Sequence, residues 1–143
     1  MNPDREDLRL RKVTPSEIDR LHQLAERVRQ DLSASGLTVH VTAEHDPMPD
    51  KGGGWIELDD FDDAGGGVWL HWQLHPRVRE AIGTAIQRAE IDDPFLKVAS
   101  QTYKHTVTAV LTTLTALGYE AERSRDDYRP YAVRVIAHPD VHA

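Results

Sequence analysis

The chain has 143 residues, 39% of them hydrophobic and 29% charged, and its 24 acidic against 17 basic residues give a formal net charge of −7. That length suits one domain of the usual ~100–200 residues, which can bury ~68–70% of its unfolded surface without a metal or a disulfide; the composition excludes collagen-like and low-complexity chains. The absence of cysteine removes disulfides, thiolate catalysis and thiolate zinc sites, and the acidic balance disfavours polyphosphate and anionic lipid as partners.

Residues 1–12 are highly charged, with Leu8 and Leu10 alternating with Arg9 and Arg11, and read as a charged tail or an edge strand. The opening residues lack the apolar core of a signal peptide, and no apolar run approaches the ~20 residues of a membrane span, so a cytoplasmic location is expected. Residues 13–143 read as one α+β domain. Its first element is a helix: Thr14 is an N-cap hydroxyl, Pro15 takes the first helical position, and Glu17 stands three residues after the cap. Ile18, Leu21, Ala25, Val28 and Leu32 recur at helical spacing, and Gly36 is placed to end the helix.

Three strands are predicted next. Leu37, Val39, Val41 and Ala43 alternate with Thr38, His40, Thr42 and Glu44, and a loop follows over 45–54. Trp55 to Asp59 forms the second strand, with Ile56 and Leu58 on one face and Trp55 and Glu57 on the other. After the acidic run Asp59, Asp60, Asp62 and Asp63 comes Val68–Gln73, with Val68, Leu70 and Trp72 opposite Trp69, His71 and Gln73. Local connections between successive strands predict an antiparallel meander.

His75-Pro76 opens a second helix with Val78, Ile82, Ile86 and Ala89 as its stripe. Asp93-Pro94 caps a third, on which Leu96, Tyr103, Val107, Val110, Leu114 and Leu117 line up before Gly118. Its six threonines oppose helix formation slightly, so tertiary packing must compensate. A hairpin closes the chain, from Tyr119–Ser124 through a turn at Asp126-Asp127 to Tyr131–Ala137; Tyr119, Ala121, Val133 and Val135 point inward, and Glu120 and Glu122 lie near Arg134. The fold expected is therefore α+β, in the order α-β-β-β-α-α-β-β, with an antiparallel sheet of meander plus hairpin and helices packed on one face.

Two surfaces carry candidate chemistry. His40, Glu57 and His71 fall on the outer face of the meander, and two imidazoles with a carboxylate form a ligand set used for zinc or ferrous iron. They lack local ligand spacing, so they stand as the alternative: an enzyme or a small-ligand or metal binder. Trp55 and Trp69 share that face, where exposed tryptophans mark either a partner surface or cover from elsewhere in the chain. The aspartates at 59, 60, 62 and 63 do not fit a calcium loop, because the twelfth position from Asp59 or Asp60 is Leu70 or His71 rather than glutamate. They read first as a solvated loop, with contact to a basic partner as the alternative. Lys51 precedes its glycines and a strand follows, which fails the phosphate-loop pattern, and no nucleophile elbow or dinucleotide fingerprint is present. The leading expectation is a small cytosolic protein, without enzymatic activity or cofactor, that binds another protein as an immunity protein, chaperone or adaptor would. Its contact surface would comprise Trp55, Trp69, Asp59, Asp60, Asp62 and Asp63. Nucleic acid and membranes are not expected as partners. The small residues Ala99, Thr102, Thr106, Ala109 and Thr113 leave room for a homodimer through Phe95–Leu117.

Overall fold

A computed structural model describes residues 12–41, 52–63, 65–90 and 92–142. The first helix, α1 (Pro15–Ala34), starts as the sequence dictates, with Thr14 Oγ1 accepting from the Glu17 amide at 3.3 Å. Glu17 does not close a reciprocal capping box; its carboxylate is held by Arg20 at 2.7 Å, one turn on. Strands β1 (Val39–Val41), β2 (Gly53–Asp59) and β3 (Gly67–Gln73) follow, then helices α2 (Pro76–Gln87) and α3 (Pro94–Ala116), and finally β4 (Glu120–Arg123) and β5 (Val133–Ala137). Asp93 caps α3 through its carboxylate, which accepts from the Phe95 amide at 2.8 Å. This is the expected α+β order, with α1 and α3 packed on one face of the sheet. Among the described residues no helix is long and apolar enough to cross a membrane.

The five strands lie in the order β1-β2-β3-β5-β4. Strands β2 and β3 form the expected hairpin, with Trp55 opposite His71 and Glu57 opposite Trp69. The first pair departs from the antiparallel meander: β1 runs parallel to β2, placing His40 beside Trp55, so the sheet is mixed. Side-chain alternation fixes faces and not direction, so the same alternating pattern fits a parallel as well as an antiparallel neighbour. Most of the predicted loop at 45–54, and Ala43 and Glu44 of the predicted first strand, lie outside the described residues; Gly53 and Gly54 already belong to β2. Gly54 is required there, because a Cβ would come within 2.9 Å of the Trp72 ring. The C-terminal hairpin inserts β5 beside β3 and leaves β4 at the edge. Glu120 and Glu122 on that edge strand discourage pairing with another acidic edge.

The inner face carries the core. Leu21, Leu24, Ala25, Val28 and Leu32 of α1 meet Ile56, Val68, Leu70, Val133 and Val135 of the sheet and Val107, Val110 and Leu114 of α3 in one cluster. Tyr119 joins it with its hydroxyl donating to Asp31 at 2.7 Å, and burial together with that carboxylate raises its ionisation range. The predicted stripe of α2 does not become core. Only Ala85 of α2 is buried, and Ile86 is 65% exposed, because α2 packs against α3 and not on the sheet. Leu117, predicted at the end of the α3 stripe, is likewise exposed. Tyr131 is not the start of β5: it takes a left-handed φ of 60° in the preceding turn and stacks on Tyr103 at 5.2 Å.

Candidate functional site on the outer sheet face

Alternation along β2 and β3 sends Trp55, Glu57, Trp69 and His71 outward, and antiparallel register sets them side by side. The rings of Trp55 and His71 stack at 4.2 Å with planes 12° apart. His71 Nε2 donates to Glu57 Oε1 at 2.8 Å. His40 does not join them as a third ligand. It pairs in register with Trp55, which pairs in turn with His71, so the indole stands between the two histidines in the cross-strand row. Among the described residues no group of three histidine, aspartate or glutamate side chains is placed to hold a metal. Of the set His40, Glu57 and His71, the fold thus brings two together.

What organises this face is Arg129, from the 124–132 connection between β4 and β5. Its Nε donates to Glu57 Oε1 at 3.0 Å and its Nη2 to Glu57 Oε2 at 3.1 Å; Nη2 also reaches Asp59 Oδ2 at 2.8 Å, and Nη1 reaches Asp126 Oδ2 at 2.8 Å. One guanidinium therefore binds three carboxylates with all its nitrogens, a geometry a lysine could not reproduce. The consequence for Glu57 is a carboxyl held down at about 2, first by the His71 hydrogen bond and then by Arg129, against the opposing effect of burial. Arg129 in turn is held more firmly protonated by Glu57 and Asp59.

The same guanidinium lies 4.5 Å over the Trp69 ring, with that of Arg134 at 5.5 Å, both within cation–π range. Trp69 Nε1 donates to the Gly65 carbonyl at 2.8 Å. With its ring covered and its one polar atom satisfied, Trp69 is only 3% exposed. Trp55 stays half-buried at the margin of the cluster. Cover for Trp69 thus comes from within the chain, through Arg129 of the β4–β5 connection and Arg134 of β5.

The acidic loop divides by function. Asp59 is drawn into the Arg129 cluster and accepts from the Phe61 amide at 3.1 Å. Asp60 pairs with Lys12 at 3.3 Å, where the chain approaching α1 forms a single antiparallel bridge with Phe61 and Val13 donates to the Asp60 carbonyl at 2.9 Å. Asp63 accepts from the Gly65 amide at 2.9 Å, bracing the turn, and Asp62 and Asp63 both remain exposed. Arg134 stands opposite Glu122 in register as expected, but its Nη2 donates to the Gly66 carbonyl at 2.8 Å, tying β5 to the acidic loop.

Next to Arg129 is a residue that sequence reasoning passed over. Tyr128 is 95% exposed, yet its amide donates to Asp126 Oδ1 at 2.9 Å, and Asp126 is itself bound to Arg129. An aromatic ring fully in solvent on a braced turn is the arrangement of an interface anchor. The sequence signal was a turn at Asp126-Asp127 and no more, because the partners of Arg129 on β2 lie about seventy positions away in the chain. No known protein family, curated protein or solved structure matches this chain.

Proposed function

We propose that this is a small cytosolic protein that acts by binding another, basic protein on the outer face of its sheet, in the manner of an immunity protein, chaperone or adaptor. The observation that carries the reading is Tyr128, almost wholly exposed on a turn that Arg129 fastens to the sheet through two carboxylates, Glu57 and Asp59, and braces internally through Asp126. An anchor residue on a preorganised loop binds without the entropy cost of ordering that loop. The contact surface consists of Tyr128, the margin at Trp55, and Asp60, Asp62 and Asp63. Trp69 and Asp59 act beneath it as supports. Carboxylates at the rim of such a surface favour basic partners and speed their encounter.

The alternative of a metal or ligand centre at His40, Glu57 and His71 draws support from the contact between Glu57 and His71. Against it, both Glu57 oxygens are already taken by Arg129, so a cation would have to displace a guanidinium to reach them.

The test is photo-crosslinking in cell lysate, with a photoreactive phenylalanine analogue replacing Tyr128 in one version and Gln23, exposed on α1, in another. A basic protein should be captured from position 128 and not from 23. Capture should fall at least fivefold when Asp60, Asp62 and Asp63 are changed to Asn together, and weaken with added salt. Equal capture from both positions, or capture indifferent to the three aspartates, would overturn the proposal.

A further inference from the structure

The three helices start on different chemistry. Thr14 caps α1 with a hydroxyl, and Glu17 follows in the first turn; Asp93 caps α3 with a carboxylate. Helix α2 is capped by an imidazole. His75 Nδ1 accepts from the Arg77 amide at 3.1 Å, while the His75 carbonyl takes the amides of Val78 and Arg79 at 2.9 and 3.1 Å. An imidazole nitrogen accepts only through its lone pair, so this cap exists only while His75 is neutral, with its proton on Nε2.

The charges around His75 give protonation one sign. A proton on Nδ1 sets a donor against the Arg77 donor and a positive charge on the positive end of the helix dipole. The first turn of α2 holds no acidic residue and contributes Arg77 and Arg79; the one carboxylate of the helix, Glu80, lies in its second turn. Among the described residues Arg79 Nε is buried without a hydrogen-bond partner. The residue leading into β2 packs against the cap, since a Cβ at Gly52 would come within 3.1 Å of the His75 amide nitrogen. From β1, His40 Nε2 lies 3.9 Å from a Cβ at Gly53, and this imidazole also gains positive charge on acidification.

The rest of α2 gives a small loss large leverage. Only Ala85 is buried, and the helix packs on α3 and not on the sheet. Gly83 stands in its middle, where a Cβ would meet no neighbour within 4 Å, so the glycine weakens the helix without serving a close contact. Past its C-terminal end Ala89 takes a left-handed φ of 55°, the conformation that glycine adopts there without strain. A helix of 12 residues with so little buried surface belongs to the part of a fold that opens first.

We infer that α2 is a proton-operated element: when His75 binds a proton, the helix loses its cap and separates from α3 while α1, α3 and the sheet stay folded. Because the folded cap uses the neutral imidazole, α2 stays capped above the ordinary imidazole range of about pH 6.5 and loosens as pH falls through it. Separation bares the surface of α3 beneath α2, on a helix where Phe95 and Val98 are exposed already. The inference is independent of the reading of the outer sheet face.

The experiment is amide hydrogen exchange of the full chain by NMR at pH 7.5 and 5.0, read as protection factors corrected for the intrinsic rate at each pH. Both values lie above the range in which Glu57 gains its proton. Protection at residues 80–87 should fall at least fivefold at pH 5.0, with α1 and α3 changing less than twofold. His75→Asn keeps an acceptor at the cap and has no proton to gain, so its α2 should be equally protected at both values. Gly83→Ala should raise α2 protection about two- to fivefold at either pH, and His40→Gln should leave the fivefold fall in place. The inference is overturned if α2 protection does not change with pH, if His75→Asn loses it as the parent does, or if His40→Gln abolishes the fall. It is overturned equally if Gly83→Ala leaves α2 no better protected, or if α1 and α3 lose protection together with α2.

Discussion

On the inner face of the sheet Ile56, Val68, Leu70, Val133 and Val135 lie against two helices, whereas on the outer face Glu57 and Trp69 lie under the 124–132 connection, fastened by one arginine. The inner face is held by non-directional burial spread over many side chains, at roughly 25 cal/mol per Å² of apolar surface removed from water. The outer face is held by directed, charge-assisted hydrogen bonds that converge on one group. A change on the inner face should therefore cost global stability, and a change at Arg129 should release one loop with a smaller global cost.

The largest effect is expected from Leu24→Ala. Leu24 is fully buried in α1, and deleting its side chain removes transfer energy and leaves a cavity, for a loss of about 3 kcal/mol within the ~2–5 range for such changes. Urea denaturation should show the midpoint falling with the slope unchanged. A loss below ~1 kcal/mol would mean that α1 is not seated on the sheet as described.

Arg129→Met keeps the stem over Trp69 and deletes the fork. Glu57, Asp59 and Asp126 are then left facing one another without their common cation, at a cost of about 1–3 kcal/mol, the range for losing hydrogen bonds to charged groups. Local consequences should exceed the global one. Hydrogen exchange at Tyr128 and Arg129 should accelerate by an order of magnitude or more, since a loop with few other buried contacts opens once its tie is cut, and tryptophan fluorescence should change as water reaches Trp69. Arg129→Lys should rescue little, because an ammonium cannot span three carboxylates in a plane. If Arg129→Met unfolds the protein as completely as Leu24→Ala, the contrast between the faces fails.

The inner face was legible in the sequence because alternation and helical spacing are local. Thr14-Pro15 and Asp93-Pro94 set two helix starts, and the pattern of Val68, Leu70 and Trp72 against Trp69 and His71 set which side of β3 would be covered. Direction was not legible, since a strand with the right faces can run either way beside its neighbour, and β1 runs parallel to β2. For α2 the stripe was real but its neighbour was not the sheet, and Ile86 was left outside. On the outer face the sequence supplied Glu57 and His71 as neighbours and withheld their organiser. Arg129 sits in a turn with no periodicity, and its role exists only once a loop near the C-terminal end folds over β2.

The smallest expected effect tests the outer face through protons. Glu57 keeps its carboxyl at about 2 in the folded chain, against an ordinary 4.5. Because the folded value is the lower one, its contribution to stability is fully present above about pH 4.5 and is lost as pH falls from there toward 2. Glu57 is about one-third exposed, so solvent screening reduces that contribution to about 1 kcal/mol or less. Urea midpoints measured at pH 6, 4 and 3 should fall more steeply for the parent than for Glu57→Gln, which has no proton to gain. The same series in Leu24→Ala should run parallel to the parent at lower stability, since the substitution neither adds nor removes an ionisable group. If Glu57→Gln and the parent descend in parallel, the acid sensitivity of the fold lies elsewhere than in the Arg129 cluster, and the outer face is held by the stacking of Arg129 on Trp69 more than by its carboxylates.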